Sequence, residues 1–137
     1  MEIKERLEET PKTPEIYAAI SLSFGPSVDV GAIVNDLNKI GIYVIKVQRP
    51  KIDASLCVDI AIIHNEQFWE LDDALTKMFL KVDQCLYELK RISTEYCGEI
   101  YIDIAFYQYG IYPTLVIHRN NMKKIHILEA NLSIDPL

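Results

Sequence analysis

Apolar and polar residues alternate along several short segments of the chain, which is the pattern of half-buried β-strands. From Ile16 to Phe24 every second residue is apolar, and the same period of two returns after Leu56 and after Ile100. Other segments show the three-to-four-residue spacing of amphipathic helices. These patterns predict strands at about 16–24, 42–47, 56–64, 100–106, 114–118 and 132–134, and helices at about 30–40, 68–93 and 120–128.

This order of elements, β-α-β-β-α-β followed by β-α-β, predicts an α+β fold. The first six elements match the ferredoxin-like βαββαβ arrangement, in which two helices cover one face of a sheet. The last three predict a C-terminal βαβ extension of an antiparallel or mixed sheet that keeps its helices on one face. We place a charged N-terminal tail or short helix at residues 1–15 and a single α+β domain at residues 16–137.

Composition and charge narrow the classes of function. The 137 residues include 20 Asp and Glu against 14 Lys and Arg, a formal net charge of −6. This balance argues against a nucleic-acid binder, because nonspecific affinity for nucleic acid comes from Lys and Arg. The charged N-terminus lacks a signal peptide, and the longest apolar run is far shorter than the ~20 residues of a membrane span. Three cysteines without C-x-x-C spacing favour a reducing, cytoplasmic compartment.

Local motifs of catalysis and cofactor binding are missing from the sequence. The five glycines never form a phosphate-binding loop, and no nucleophile elbow of the type G-x-S-x-G occurs. His64, His118 and His126 lack the spacing of a zinc site. We therefore expect neither a cofactor nor a metal, and a protein that is not an enzyme.

The strand alternation predicts a helix-free sheet face that carries two carboxylates. If the isoleucines of the strand at 100–106 point inward, Tyr101, Asp103 and Tyr107 point outward, and the strand at 56–64 presents Asp59 and Ala61 in the same way. Two carboxylates in one concavity can bind a cation, divide acid and base roles, or meet a basic group of a partner. The alternative explanation is that the two carboxylates have no function and are only exposed to solvent, since antiparallel sheets commonly leave one face in water.

A second candidate surface is an acidic segment with aromatic residues. Between Ile52 and Thr76 there are six acids and no Lys or Arg, and the segment contains Trp69, the sole tryptophan. Acids with an aromatic anchor favour a protein-binding surface, although acids at a helix start also stabilise the helix itself. The partner-binding residues predicted from both features are Asp59, Glu66, Trp69, Glu70, Asp72, Asp73, Tyr101, Asp103 and Tyr107.

The C-terminal part of the chain resembles a bacterial domain-of-unknown-function family. The resemblance rests on residues 112–117 and 127–135 and on the long helix predicted after Trp69. It implies a small α+β cytosolic protein with a Pro-led strand, a short helix and a closing strand that ends in Asp, and it supplies no catalytic residues. In size and acidity the chain is also similar to immunity proteins of bacterial toxin systems, including contact-dependent inhibition. Those proteins bind and block a cognate toxin, often a basic nuclease.

Three functional hypotheses follow from the sequence. The first is a non-enzymatic immunity-type inhibitor that binds a cognate toxin or another basic protein through an acidic surface, with no nucleic-acid or membrane partner. The alternative is a small enzyme or a metal- or ligand-binding module that uses Asp59 and Asp103, with Tyr101 or Tyr107 as donors. That alternative requires the two carboxylates to lie within about 6 Å of each other. The third is a homodimer formed through a sheet edge or the open face.

Overall fold

A computed structural model describes residues 12–49 and 55–137 of the chain, and the predicted α+β class is confirmed. The strands are β1 Glu15–Phe24, β2 Lys46–Gln48, β3 Leu56–Gln67, β4 Glu99–Tyr107 and β5 Asn131–Pro136. The helices are α1 Val30–Lys39, α2 Leu71–Phe79, α3 Leu86–Glu95 and α4 Arg119–Leu128. The predicted N-terminal tail or short helix falls mainly on residues 1–11, outside the described residues.

The five strands form one mixed sheet in the order β2-β3-β1-β4-β5. The central strand β1 is antiparallel to both β3 and β4, and β2 is antiparallel to β3, which is the ferredoxin-like order. The fifth strand is parallel to β4, and α4 supplies the crossover that a parallel pair needs. A C-terminal βαβ unit is therefore present, but it is formed by β4, α4 and β5, whereas the prediction began it with a separate strand at 114–118.

The core lies between one face of this sheet and the helices. Every second residue of β1 and β4 is buried, as the period of two predicts. The helices contribute the apolar residues that recur every three or four positions, and the largest fully buried side chains include Leu71, Leu75, Met78, Phe79, Leu89 and Ile92. The intervening strand residues face the opposite side of the sheet, where they are half-buried or exposed.

The single helix predicted at 68–93 is wrong, because the chain forms two helices joined by a 3₁₀ turn at Asp83–Cys85. After α2, the amides of Lys81 and Val82 bond to carbonyls three residues back, which tightens the turn and ends the α-helix. Val82 and Cys85 nevertheless stay buried. The apolar spacing thus continues through the break, and periodicity alone could not reveal it.

The strand predicted at 114–118 is also wrong. Only Thr114 pairs, in an isolated parallel bridge with Glu70, while Leu115 and Val116 are 46% and 51% exposed. The strand predicted at 42–47 is reduced to Lys46–Gln48, preceded by Gly41 with a positive φ of 88° just past the end of α1. Within the described residues, no helix has the length and apolar character to cross a membrane.

Candidate functional site

Asp59 and Asp103 lie on the face of the sheet opposite the described helices, which we call the open face, but β1 runs between them. Asp59 pairs with Ser21 of β1, and Asp103 pairs with Ala19 on the other side of the same strand. Two strand spacings separate their backbones by about 10 Å or more. The close carboxylate pair that the enzyme or metal-site alternative requires is therefore absent from this arrangement.

Two β-bulges in β3 decide which of its side chains reach this face. At the first bulge Ile60 and Ala61 are both buried, so the alternation shifts by one residue. Ala61, predicted to point outward, is consequently 0% exposed, and Ile62 and His64 take the outward positions. At the second bulge Asn65 has a positive φ of 60°, and its Oδ1 accepts a hydrogen bond of 3.2 Å from the hydroxyl of Tyr17.

A shallow depression of about 370 Å³ lies at the centre of the open face. The small side chains of Ala19 and Ala105 leave room there between larger neighbours. Its lining also includes the outward side chains of four strands: Tyr17, Ile62, His64, Asp103, Ser133 and Asp135. We call this the central depression.

The parallel pairing of β5 with β4 brings a second carboxylate into the central depression. Asp103 pairs with Ser133, and Ala105 pairs with Asp135, so Asp135 is the diagonal neighbour of Asp103 on the same face. The hydroxyl of Ser133 donates a hydrogen bond of 2.8 Å to Oδ1 of Asp103. Sequence reasoning paired Asp103 with Asp59 because the register of β5 against β4 cannot be read from a single strand.

Aromatic rings form one end of the open face. The ring of Tyr17 meets that of His64 edge-on at 4.8 Å between centroids and that of Tyr107 at 5.9 Å. Tyr107 in turn stacks on Tyr109 at 6.3 Å. Partial burial, together with the charge of Glu15, raises the pKa of Tyr17, so its hydroxyl remains a neutral hydrogen-bond donor at ordinary pH.

The open face is strongly acidic. Among the described strand residues, the register puts five carboxylates on this face and one lysine, Lys46, which pairs with Asp59. Tyr101 donates a hydrogen bond of 2.6 Å to one of these carboxylates, Glu99, and this bond is the main cause of the raised pKa of Tyr101. The five acids of the open face are Glu15, Asp59, Glu99, Asp103 and Asp135.

Asp72, one of the residues predicted to bind a partner, joins two helices of the protein. One of its carboxylate oxygens accepts hydrogen bonds from the backbone N–H of His118 at 2.8 Å and from Nδ2 of Asn121 at 2.9 Å. Burial by itself would raise the pKa of Asp72, but these bonds and the nearby charges of His118 and Lys124 outweigh it and lower the pKa. Asp72 thus fastens the start of α2 to the start of α4.

The other predicted residues of the acidic segment are more exposed but scattered. Glu66 turns to the helix side, where its carboxylate lies 3.1 Å from Nζ of Lys77. Trp69 is 48% exposed, and its carbonyl accepts a hydrogen bond from the amide of Thr114. Glu70 and Asp73 are exposed beside it. Glu66, Glu70 and Asp73 therefore do not form one surface with the acids of the open face.

Neither the site chemistry nor the comparisons assign an activity. In residues 12–49 and 55–137, no group of three or more His, Cys, Asp or Glu side chains could hold a metal ion. No protein-family model, no curated protein and no solved structure matches the chain. What the geometry offers is ion pairing and hydrogen bonding to a positively charged group, with tyrosine rings to pack against it.

Proposed function

We propose that this protein is a non-enzymatic binding domain of the immunity type, which blocks a basic toxin by covering it with the open sheet face. The observation that carries the proposal is the makeup of this face: five carboxylates and several tyrosines on a surface that none of the described helices covers. The carboxylate pair of the enzyme alternative has no comparable support, since β1 lies between Asp59 and Asp103.

The size of the face suits a protein partner better than a small ligand alone. Five strands spaced by about 4.8 Å, along six to nine residues of each long strand, give roughly 600 Å² of sheet surface. Each partner in a standard protein interface contributes about 800 Å². The surrounding loops can supply the remainder.

The chemistry of the face suits a basic partner. A row of carboxylates speeds the encounter with a positively charged protein and excludes acidic ones, because like charges repel at close range. Tyrosines such as Tyr101 and Tyr107 add rigid contact area with a polar hydroxyl, which is why tyrosine is common at interface hot spots.

Affinity capture with two charge-matched variants tests the proposal. Immobilised protein is exposed to lysate of the organism that encodes it, and retained proteins are identified by mass spectrometry. The first variant reverses three open-face acids, D59K/D103K/D135K. The second reverses three exposed acids of the helix side, E70K/D73K/E88K, which include two residues predicted from the sequence to bind the partner.

We expect the unchanged protein and the helix-side variant to retain the same basic protein, and the open-face variant to lose it. That protein, expressed alone, should stop bacterial growth, and co-expression with the unchanged chain should restore it. Retention by the open-face variant would refute the assignment of the surface. A retained partner that is harmless to cells would leave the binding surface in place and refute the immunity function.

A further inference from the structure

We infer that the central depression is the anchor site of the open face and that it binds a guanidinium group, the side chain of an arginine on the partner. This inference rests on the proposed function, because it names the side chain that such a partner would insert. It concerns one small part of the face, lined by neighbouring residues of β1, β3, β4 and β5.

The charge of the lining selects a cation. Asp103 and Asp135 enter from adjacent parallel strands as diagonal neighbours, and the described lining contains no Lys or Arg to neutralise them. The hydrogen bond from Ser133 occupies only one position on Asp103 Oδ1, so most acceptor positions of the two carboxylates remain for a ligand. A cation at this place can reach both of them.

The shape of the lining favours a planar cation over a compact one. Ala19 and Ala105 make a flat floor, while Ile62 and the ring pair of Tyr17 and His64 rise beside it. A guanidinium can lie against apolar and aromatic surface and still direct its five N–H donors outward in a plane. Carboxylates on two strands can accept hydrogen bonds from different edges of that plane. The ammonium of lysine lacks such a plane and is a strongly hydrated point charge, so it fits this lining less well.

A nuclear magnetic resonance titration tests the anchor without any knowledge of the partner. The probe is N-acetyl-arginine amide, and the signals observed are the backbone amides of isotope-labelled protein. We expect saturable shifts at Ala105, Ser133 and their neighbours, with a dissociation constant of about 10 mM from two exposed ion pairs and one cation–π contact. N-acetyl-citrulline amide, which has the same shape without the charge, should give none, and the lysine analogue should bind at least about three-fold more weakly.

Two variants with the same loss of charge separate the anchor from the general acidity of the face. D103N/D135N removes the carboxylates of the central depression, and we expect affinity for the probe to fall at least about five-fold. D59N/E99Q removes two carboxylates of the same face outside the depression, and it should change the affinity less than about two-fold. The inference would be overturned if both variants lost the same affinity for the arginine probe. It would also be overturned if the citrulline analogue changed the amide chemical shifts as much as the arginine probe does.

This result and the capture experiment can fail separately. Arginine binding in the depression, combined with partner retention by the open-face variant, would keep the guanidinium site and refute the assignment of the open face as the partner-binding surface. Partner loss in the open-face variant without any saturable response to the arginine probe would keep the proposed function and refute the anchor.

Discussion

The open sheet face and the start of α2 are both acidic, yet their carboxylates do different work. At the start of α2, Asp72 accepts hydrogen bonds from the start of α4, and Glu66 at the end of β3 pairs with Lys77 of α2, so these two acids hold parts of the protein together. On the open face Asp103 accepts one hydrogen bond from the described residues, donated by the half-buried Ser133, and its diagonal neighbour Asp135 carries the same negative charge. Asp72 and Glu66 therefore serve the fold, whereas Asp103 and Asp135 have no described Lys or Arg beside them in the central depression, which fits the contact with a basic partner that we propose.

The largest expected effect comes from breaking the bonds between α2 and α4. Asn121 is 2% exposed, and its Nδ2 lies within hydrogen-bond distance of the carbonyl and carboxylate of Asp72 and of the hydroxyl of Thr76. Truncation in N121A removes these bonds and leaves a cavity at a side chain that is almost fully buried between the two helices. We expect the free energy of unfolding to fall by about 2–3 kcal/mol, as measured by urea denaturation.

D72A should destabilise the protein by a similar amount, and its neighbour Asp73 provides the matched control. Asp73 is exposed in the same helical turn, so D73A should change the free energy of unfolding by less than about 0.5 kcal/mol. If both aspartates proved equally dispensable, the distinction between structural and free acids at the start of α2 would be lost.

Acid titration should show the same distinction with a smaller effect. Because the pKa of Asp72 is lowered in the folded protein, its contribution to stability is complete above the ordinary carboxyl pKa of about 4. That contribution is lost as the pH falls from about 4 through the lowered pKa of the folded state. D72N cannot ionise, so we expect its stability to fall less steeply over this range than that of the unchanged protein.

The control for the acid titration is D73N, which removes an exposed carboxylate of the same helical turn and leaves the hydrogen bonds of Asp72 in place, so we expect it to keep the acid-labile part of the stability. Urea midpoints at about pH 7, 4 and 3 are sufficient for the comparison. A D72N curve that coincides with that of the unchanged protein below pH 4 would show that Asp72 does not supply the acid-labile stability.

The sequence predicted the architecture well because the pattern of burial depends on local spacing. The alternation in β1 and β4 and the helical spacing after Leu71 follow from which side chains must face the core. These features also put Asp59 and Asp103 on the correct face. The break in the helix before Asp83 could not be predicted from spacing, because the apolar positions continue at helical intervals through it.

The site was predicted only in part because it depends on register between distant segments. The extra residue at Ile60 turns Ala61 toward the core and Ile62 and His64 toward the open face. No local sequence pattern marks this bulge. Asp135 joins Asp103 only through the parallel pairing of β5. Asp72 was assigned to a surface because its bonding partners, His118 and Asn121, lie more than forty residues away in sequence.

The smallest change in the free energy of unfolding is expected from variants of the open face. Its sign is informative, because a gain in stability indicates repulsion between the acids and a loss indicates that they hold the fold together. Asp103 and Asp135 are exposed neighbours of like charge, so D103N/D135N should leave the free energy of unfolding unchanged or raise it by up to about 0.5 kcal/mol at low salt. D59N should bring no such gain, because Asp59 faces Lys46 across the strands. Added salt should abolish the gain, since exposed charges are screened. A loss above about 1 kcal/mol in D103N/D135N would mean that these carboxylates hold the fold together as Asp72 does, and the contrast between the two acidic regions would disappear.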